Sequence, residues 1–151
     1  MGSIEVLVVD DHLVVREGLR HLLEQPGPDG MAVRAVGTVA DALAACATVV
    51  PDVAVLDVML PDGDGIQLCR ELLTRHPTVA CLVLTASHDD RTVLAAAVAG
   101  AAGYLRKDAG RAQLHDAIRA VARGESLLDE AAVTAALEDI RVTHEEGPLP
   151  D

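Results

Sequence analysis

The chain has 151 residues, which suits one domain with a short extension, and a formal net charge of -12. Half of its residues are hydrophobic, so a core can form, but Tyr104 is the only aromatic residue and the core must be built from Ala, Val and Leu. The negative charge argues against a chain that grips nucleic acid by itself, because binding to phosphate backbones rests on Lys and Arg.

The cysteines and the apolar segments predict a cytoplasmic protein. Cys46, Cys69 and Cys81 fall at apolar positions without metal-ligand spacing, so we interpret them as buried, reduced thiols. The N-terminus leads directly into a predicted strand, which indicates no signal peptide. No apolar stretch is long enough to span a bilayer, so we expect no membrane partner.

Five short apolar segments are predicted as strands: Ile4–Val9, Met31–Val36, the run from Val53 to Asp57, Val79–Leu84 and Gly103–Arg106. The run that ends in Asp57 is apolar on both faces, as is typical of a strand inside a parallel sheet. A Pro/Asp/Gly cluster follows it at once, so Asp57 lies where the strand leaves the core. Open α/β sheets bind their ligands at this edge.

Helical patterns separate these strands. Three predicted helices are Leu13–Glu24, about Asp89–Ala99, and Gly110–Arg123. A fourth is an Ala-rich segment that begins at the capping box Thr38–Asp41 and ends before Pro51. The fifth is capped by Asp64 and ends at His76–Pro77. Their predicted core positions are Val15, Leu19 and Leu22; Ile66, Cys69 and Leu73; and Leu114, Ala117, Ile118 and Val121. Pro26–Gly30 is predicted as a loop, and Gly100 and Gly124 suit helix ends. Strands alternating with helices imply right-handed crossovers and a three-layer α/β fold.

A further helix near Asp129 to Val142 lies beyond this repeat. Its apolar stripe consists of Val133, Ala136, Leu137 and Ile140. It either folds back on the domain or forms a dimer or interdomain helix, and the sequence leaves both open. Gly147–Pro150 reads as the start of a flexible linker. We therefore expect a main domain over 1–124, a linker or dimerisation helix over 125–143, and the start of a flexible linker over 144–151.

Four predicted strands end in polar residues on one edge of the sheet: Asp10–Asp11, Asp57, Thr85 and Lys107. A single strand-end carboxylate is more often a cap, and Asp62 and Asp64 are interpreted as turn and cap residues. Three converging acids stay ionised together only with a cation among them, and hard oxygen ligands suit Mg²⁺. The lysine offers a charge, and the threonine a donor, to phosphate oxygens.

At these residues the sequence resembles the receiver domain of two-component response regulators, in the branch called NarL/FixJ. The resemblance covers about residues 4 to 123, and the matching segments are Val9–His12 with Arg16–Leu19, Leu56–Gly65, Leu84–Ala86 and Gly100–Asp108. It implies a flavodoxin-like, doubly wound, five-stranded parallel sheet of order 2-1-3-4-5. It also implies that a partner histidine kinase phosphorylates the domain, which then forms a homodimer or presents an effector surface to control transcription.

The resemblance assigns a role to each matching site residue. Asp57 would be the phosphoacceptor, and Asp10, Asp11, Asp57 and the backbone carbonyl of Met59 would hold Mg²⁺. Lys107 would pair with the phosphoryl group, Thr85 would donate to it, and the Tyr104 ring would turn inward as Thr85 moves. The domain would catalyse its own phosphoryl transfer and slow autodephosphorylation at Asp57, without being an enzyme in the usual sense.

The sequence departs from the family pattern in two places. The family often has Pro after the lysine with a cis peptide between them, but Asp108 follows Lys107 here. A cis bond without Pro costs about 2.5–4 kcal/mol, so we do not assume that geometry. The chain also ends before any helix-turn-helix domain, through which DNA would be bound, and this favours a fragment of a longer regulator.

Two other functions compete with this interpretation. A phosphate-independent interaction or dimerisation module could keep the fold and switch without phosphate. A haloacid-dehalogenase-type phosphatase also phosphorylates an aspartate after a strand, but it needs a second Asp two residues on, where this chain has Met59. A dinucleotide site is excluded because no G-x-G-x-x-G follows the first strand.

Overall fold

In the computed structural model of the protein, the described residues are 3–24, 30–86, 90–128, 133–135 and 137–138. The strands are β1 (Ile4–Val9), β2 (Met31–Val36), β3 (Val53–Asp57), β4 (Met59–Leu60), β5 (Gly63–Asp64), β6 (Ala80–Thr85) and β7 (Gly103–Arg106). The helices are α1 (Leu13–Leu23), α2 (Val39–Thr48), α3 (Gly65–Arg75), α4 (Asp90–Ala99) and α5 (Arg111–Ala122). The predicted alternation of strands and helices is confirmed.

The main sheet has five parallel strands in the order β2-β1-β3-β6-β7. This is the predicted flavodoxin-like order 2-1-3-4-5, because β4 and β5 form only a two-residue antiparallel hairpin beside the sheet. All five residues of β3 are buried, as expected for the central strand of a sheet that is covered on both faces. The strand order places β1, β3 and β6 side by side, so the residues at their carboxyl ends share one edge.

The core has two halves, one on each face of the sheet. One half joins the inner residues of α2, α3 and α4 to alternate residues of the strands, such as Leu7, Leu56 and Val83. The other joins α1 and α5 to the remaining alternate residues, such as Val8 and Val55. Successive side chains of a strand point to opposite faces, so apolar residues at every position feed both halves.

The three cysteines all lie in the first half of the core as buried free thiols. Burial raises the pKa of the Cys46 thiol. The prediction of buried cysteines is confirmed.

The predicted core faces of two helices were wrong in part. In α1 the fully buried residue is Leu23, whereas Val15, Leu19 and Leu22 are only partly buried. In α3 the most buried large side chains are Leu68, Cys69 and Leu72, flanked by the partly buried Ile66 and Leu73. The buried faces nevertheless overlap the predicted ones, because Leu19, Ile66 and Leu73 still pack against the core. The α5 positions Leu114, Ala117, Ile118 and Val121 are all buried, as predicted.

The helix ends follow the predicted signals. Thr38 accepts a hydrogen bond from the Asp41 backbone N–H at the start of α2. Gly100 and Gly124 have φ values of 95° and 90°, which favour glycine, directly after α4 and just beyond the C-cap of α5. The loop Pro26–Gly30 is outside the described residues except for Gly30, and so is Asp89.

The segment after α5 contacts the sheet at the edge opposite Asp57. The Leu127 backbone N–H donates to the Ala102 carbonyl at 2.6 Å, and the Leu127 side chain lies against Gly103. Of the predicted helix from Asp129 to Val142, residues 133–135 and 137–138 are helical, and Asp129, Ala136, Ile140 and Val142 lie outside the described residues. Within the described part of the chain, no helix has the length and apolar character needed to cross a membrane.

Candidate functional site

The carboxyl edge of the sheet brings four predicted site residues together. Asp10 follows β1, Asp57 ends β3, Thr85 ends β6 and Lys107 follows β7. The ladder continues one residue beyond two of these strands, because Asp10 N–H donates to the Val36 carbonyl at 3.0 Å and Lys107 N–H donates to the Thr85 carbonyl at 2.7 Å. These backbone hydrogen bonds therefore fix the positions from which the Asp10 and Lys107 side chains extend.

Lys107 connects two buried acids. Its ammonium group donates to Asp57 Oδ2 at 2.8 Å and lies 3.2 Å from Asp10 Oδ2. Partial burial alone would lower the pKa of Lys107, but the hydrogen bond to Asp57 and the attraction of both carboxylates outweigh it and raise the pKa. Lys107 is therefore a cation throughout the physiological range, held over the end of β3.

His12 lies against the two neighbouring acids. Its Nδ1 is 3.0 Å from Asp10 Oδ1 and 3.1 Å from Asp11 Oδ1. The His12 backbone N–H also donates to Asp10 Oδ1 at 2.9 Å, which fixes the turn between β1 and α1. The side chain of Asp10 is 1% exposed, that of Asp11 36% and that of His12 63%. The cluster therefore runs from the buried end of β1 out to solvent.

The acidic cluster suits a hard cation. Ligand atoms of Asp10, Asp11, His12 and Asp57 all lie within 4.8 Å of one another. The three carboxylates outnumber the two nearby cations, Lys107 and Arg16, so an uncompensated negative charge remains. Asp10 Oδ2 is buried and accepts no hydrogen bond; the nearby Lys107 ammonium makes only an ion pair with it. An unsatisfied buried carboxylate oxygen beside an excess of negative charge fits a divalent metal ion.

The loop after Asp57 packs tightly against the backbone at the ends of β3 and β6. Val58 N–H donates to the Leu84 carbonyl at 3.2 Å, and Gly65 N–H donates to the Val58 carbonyl at 2.8 Å. A Cβ at Gly65 would overlap the Asp57 carbonyl oxygen and lie 2.8 Å from its carbon, so the close approach requires glycine. The Met59 backbone N–H lies 3.3 Å from Asp57 Oδ1, and the Met59 side chain is 78% exposed.

Two further acids anchor the same loop. Asp64 Oδ1 accepts from the backbone N–H groups of Ile66 and Gln67, so it caps α3 as predicted. Asp62, interpreted from the sequence as a turn residue, caps a different helix: it accepts from Val39 N–H at 2.8 Å and Ala40 N–H at 3.1 Å at the start of α2. These hydrogen bonds lower the pKa of Asp62. The loop beside Asp57 is therefore tied to two helices.

Thr85 and Tyr104 lie on neighbouring strands. Thr85 is 8% exposed, and Tyr104 is half-buried against the α2–α3–α4 half of the core. In the β6–β7 register Tyr104 pairs with Val83, two residues before Thr85. Both predicted switch residues thus occupy the end of the sheet next to α4.

The sequence interpretation missed two neighbours of the acidic cluster. The Arg16 guanidinium donates to the Asp10 carbonyl at 3.0 Å and lies against Gly37. The sequence predicts no site role for His12, whose ring lies against Asp10 and Asp11. A helix start directly after an acid pair was the available signal, because it places Arg16 one turn beyond His12 on the same face.

Asp108, at the position where the family often has Pro, pairs with a neighbouring side chain. Its two carboxylate oxygens accept from Arg106 Nε at 3.1 Å and from an Arg106 terminal nitrogen at 2.9 Å. No cis peptide bond occurs among the described residues, including Lys107–Asp108.

Comparison with known proteins identifies the family to which the chain belongs. The family model described as the response regulator receiver domain matches residues 6–119. The "DNA-binding transcriptional activator DevR/DosR" of Mycobacterium tuberculosis is 46% identical over 147 residues, which are 97% of this chain and 67% of that protein. The chain spans 56–68% of the length of the curated relatives compared with it.

Two solved structures share the fold closely. A "two-component response regulator, LuxR family" from Aurantimonas sp. SI85-9A1 has a TM-score of 0.79 at 30% identity, covering 93% of this chain and 99% of that one. The "signal receiver domain of the putative response regulator NarL" from Mycobacterium tuberculosis has a TM-score of 0.75 at 30% identity, covering 83% and 100%.

Proposed function

The chain belongs to the receiver-domain family of two-component response regulators, in its NarL/FixJ-type branch, and we propose that it accepts a phosphoryl group on Asp57 from a partner histidine kinase. One observation carries this proposal: Asp57, buried at the end of β3, accepts a 2.8 Å hydrogen bond from Lys107 beside the acid pair Asp10–Asp11. A buried carboxylate with a fixed cation and two further acids is costly for the fold, so a chemical role explains it better than a structural one.

The proposed chemistry is a phosphoryl transfer to an oxygen of Asp57. The new bond joins that oxygen to phosphorus, the bond from phosphorus to the imidazole nitrogen of the kinase breaks, and the nitrogen keeps the electron pair. Little covalent work falls to the protein in such a reaction, because positioning and charge neutralisation dominate. Lys107 would pair with the phosphoryl oxygens, and the Thr85 hydroxyl would donate to one of them.

The proposed cation is Mg²⁺. Asp10, Asp11, Asp57 and the backbone carbonyl of Met59 would hold it, and oxygen donors of this kind suit it. When bound, the ion would neutralise negative charge on the transferring group.

The proposed output is a shift of the surface around Tyr104. Movement of Thr85 toward the phosphoryl group would free space for the Tyr104 ring. The surface formed by α4, β7 and α5 would then change its shape. A second protomer or an effector that prefers the new surface would be favoured by its differential affinity for the two states. Homodimerisation and control of transcription are proposed on this basis, supported by the similarity to a DNA-binding activator. With a net charge of -12, the chain itself is a poor ligand for DNA, so binding through a helix-turn-helix domain is proposed.

The proposed receiver domain covers 1–124. The family match over 6–119 and the left-handed Gly124 just beyond the C-cap of α5 support this boundary. Residues 125–143 are proposed as a linker or dimerisation helix, and 144–151 as the start of a flexible linker.

The decisive experiment uses a small acyl phosphate with Mg²⁺. The mass of the wild-type chain should rise by one phosphoryl group, and Asp57→Asn should abolish the increase. Asp52→Asn is a matched control, because Asp52 lies outside the pocket and accepts from Glu5 N–H. Label that persists on Asp57→Asn would overturn the assignment, and no label on the wild type would favour the phosphate-independent module.

A second experiment tests the cation. Mg²⁺ should raise the unfolding temperature of the wild type, because a ligand that binds only the folded state stabilises it. In Asp11→Asn much of that gain should vanish. An equal Mg²⁺ response in wild type and Asp11→Asn would mean that the acids do not hold the ion.

A further inference from the structure

We propose that Arg16 is a positioning residue for the phosphoacceptor site, and that Gly37 provides the space in which its guanidinium group lies. Arg16 acts through the peptide unit between Asp10 and Asp11 and does not contact the transferred group. The proposal rests on the proposed function, because the two acids belong to the same site. None of the roles proposed above uses Arg16 or Gly37.

The peptide units on both sides of the Asp10 Cα are held by different parts of the chain. The Asp10 N–H donates to the Val36 carbonyl at the end of β2 at 3.0 Å. The Asp10 carbonyl accepts from Arg16 Nη1 at 3.0 Å. Because a peptide unit is planar, these two hydrogen bonds restrict both backbone dihedrals of Asp10. The Asp10 carbonyl belongs to the peptide unit that leads to Asp11, so Arg16 sets the orientation of the second acid relative to the first.

Arg16 reaches this peptide unit from the first turn of α1. Its backbone N–H donates to the His12 carbonyl at 2.9 Å, and its half-buried side chain runs back six positions to Asp10. A hydrogen bond from a charged donor is stronger than one from a neutral donor. Asp10 is therefore held by two cations, Lys107 at its carboxylate and Arg16 at its carbonyl, which oppose the repulsion between neighbouring acids.

Gly37 leaves room for the guanidinium group. A Cβ at Gly37 would lie 2.5 Å from Arg16 Nη1, the atom that donates to Asp10, and 3.7 Å from the Asp10 carbonyl oxygen. Gly37 does not have a positive φ, so its backbone conformation does not require glycine. The contact between Arg16 and Asp10 therefore explains the missing side chain. A methyl group there would displace the end of a flexible side chain and leave the backbone in place.

The first test measures the rate at which a small acyl phosphate with Mg²⁺ phosphorylates the full chain. In Arg16→Ala the rate should fall about tenfold, because the acids no longer have the required geometry. Gly37→Ala should also slow the reaction, since its methyl group displaces the guanidinium. The double variant should be no slower than Arg16→Ala, because the methyl group acts only through Arg16. Losses that add, or an unchanged rate in Arg16→Ala, overturn the inference.

Two substitutions on α1 are matched controls. Arg20 is an exposed arginine that pairs with Glu24, and a Cβ at Gly18 meets nothing within 4 Å. Arg20→Ala and Gly18→Ala should therefore react at the wild-type rate. Slowing of both to the rate of Arg16→Ala would show a general effect of changes in α1 and would overturn the inference.

A rescue measurement separates positioning from folding. Methylguanidinium, added below denaturing concentrations, should restore part of the rate lost in Arg16→Ala, because it can occupy the space beside Gly37. It should not restore the rate of the double variant, in which a methyl group fills that space. A loss of stability would not be restored in this way, because guanidinium ions weaken the folded state. Equal responses of the two variants overturn the inference.

Amide hydrogen exchange tests the turn without any phosphate. The His12 N–H donates to Asp10 Oδ1 at 2.9 Å. Its exchange should accelerate at least about tenfold, or ~1.4 kcal/mol, in Arg16→Ala and stay constant in Arg20→Ala. Faster His12 exchange without phosphorylation of the wild type would support positioning by Arg16 and overturn the proposed function. Unchanged exchange in Arg16→Ala, with normal phosphorylation of the wild type, would overturn this inference alone.

Discussion

The helices α3 and α4 follow the strands that carry Asp57 and Thr85, but different side chains attach them to the sheet. Helix α3 buries Leu68, Cys69 and Leu72, and its first turn is capped by Asp64. Helix α4 buries Val93, Ala96 and Ala99 and leaves Val98 76% exposed.

This difference has an energetic meaning. Full burial of a Leu side chain contributes about 1.5–3 kcal/mol, whereas the single methyl group of Ala contributes about 0.8 kcal/mol. The attachment of α3 is therefore stronger than that of α4 by several kcal/mol. Asp57 therefore lies beside the more strongly attached helix and Thr85 beside the more weakly attached one, which suits the proposed output through movement near α4.

The largest expected effect comes from removing a buried side chain of α3. Leu72 is fully buried, so Leu72→Ala should lower the free energy of unfolding by about 2–5 kcal/mol through lost burial and a cavity. Urea denaturation monitored by circular dichroism gives this value.

The matched change in α4 is Val93→Ala. It removes two carbon atoms from a residue that is 5% exposed, so a loss of about 1.6 kcal/mol is expected. A larger loss for Val93→Ala than for Leu72→Ala would reverse the proposed order of attachment.

The next effect tests the close contact between α3 and the Asp57 loop. Gly65→Ala should lower the free energy of unfolding by about 1–3 kcal/mol, because the new methyl group overlaps the Asp57 carbonyl. It should also slow phosphorylation by acyl phosphate, since Asp57 must shift.

Gly18→Ala serves as the control for Gly65→Ala. A Cβ at Gly18 meets nothing within 4 Å, and Ala in the middle of α1 should stabilise the protein by about 0.5–1 kcal/mol. If both substitutions change the free energy of unfolding in the same direction, the contact at Gly65 does not govern the result.

A smaller effect concerns movement on phosphorylation. Amide hydrogen exchange of α4 and β7 should change by about tenfold, or ~1.4 kcal/mol, while that of α3 stays nearly constant. The physical reason is that a shift of Thr85 acts on the lightly held helix. In Thr85→Ala the mass increase from acyl phosphate should remain and the exchange response should be lost; equal responses in both proteins would disprove this coupling.

The smallest effect is the pH dependence of the Asp62 cap. Its pKa is lowered by the N–H groups of Val39 and Ala40, so its stabilising contribution is present above the ordinary aspartate value of about 3.9 and is lost as the pH falls through the lowered pKa. Asp62→Asn should therefore reduce the unfolding temperature more at pH 7 than at pH 2.5.

Glu17→Gln controls for the change in net charge, because Glu17 is an exposed residue of α1. A pH dependence that is the same for Asp62→Asn and for the wild type would show that the cap contributes nothing.

Local patterns predicted most of the fold. The bounds of β1, β2, β3 and β7 match the prediction to the residue, because short apolar runs between Gly, Pro and Asp leave little choice. The choice between adjacent apolar residues, Leu22 or Leu23 in α1 and Leu72 or Leu73 in α3, was wrong since it depends on how a helix rotates against the sheet. That rotation depends on tertiary packing, which the spacing of apolar residues along a helix does not determine.

The candidate site was predictable only as far as strand ends determine it. The strand ends predict that Asp10, Asp57 and Lys107 lie together, and Lys107 Nζ lies 3.2 Å from Asp10 Oδ2 and 2.8 Å from Asp57 Oδ2. The cap from Asp62 to Val39 spans 23 residues, and no local signal links the two.

Tyr104 gives the protein a built-in optical label. It is the only aromatic side chain in 151 residues, so near-ultraviolet absorbance and fluorescence arise from one ring on one strand. That ring is half-buried on β7, beside the strand that ends at Thr85. Any spectral change on adding a phosphoryl donor or a metal ion can therefore be read as a change at this position, without a dye, an isotope or an engineered tryptophan.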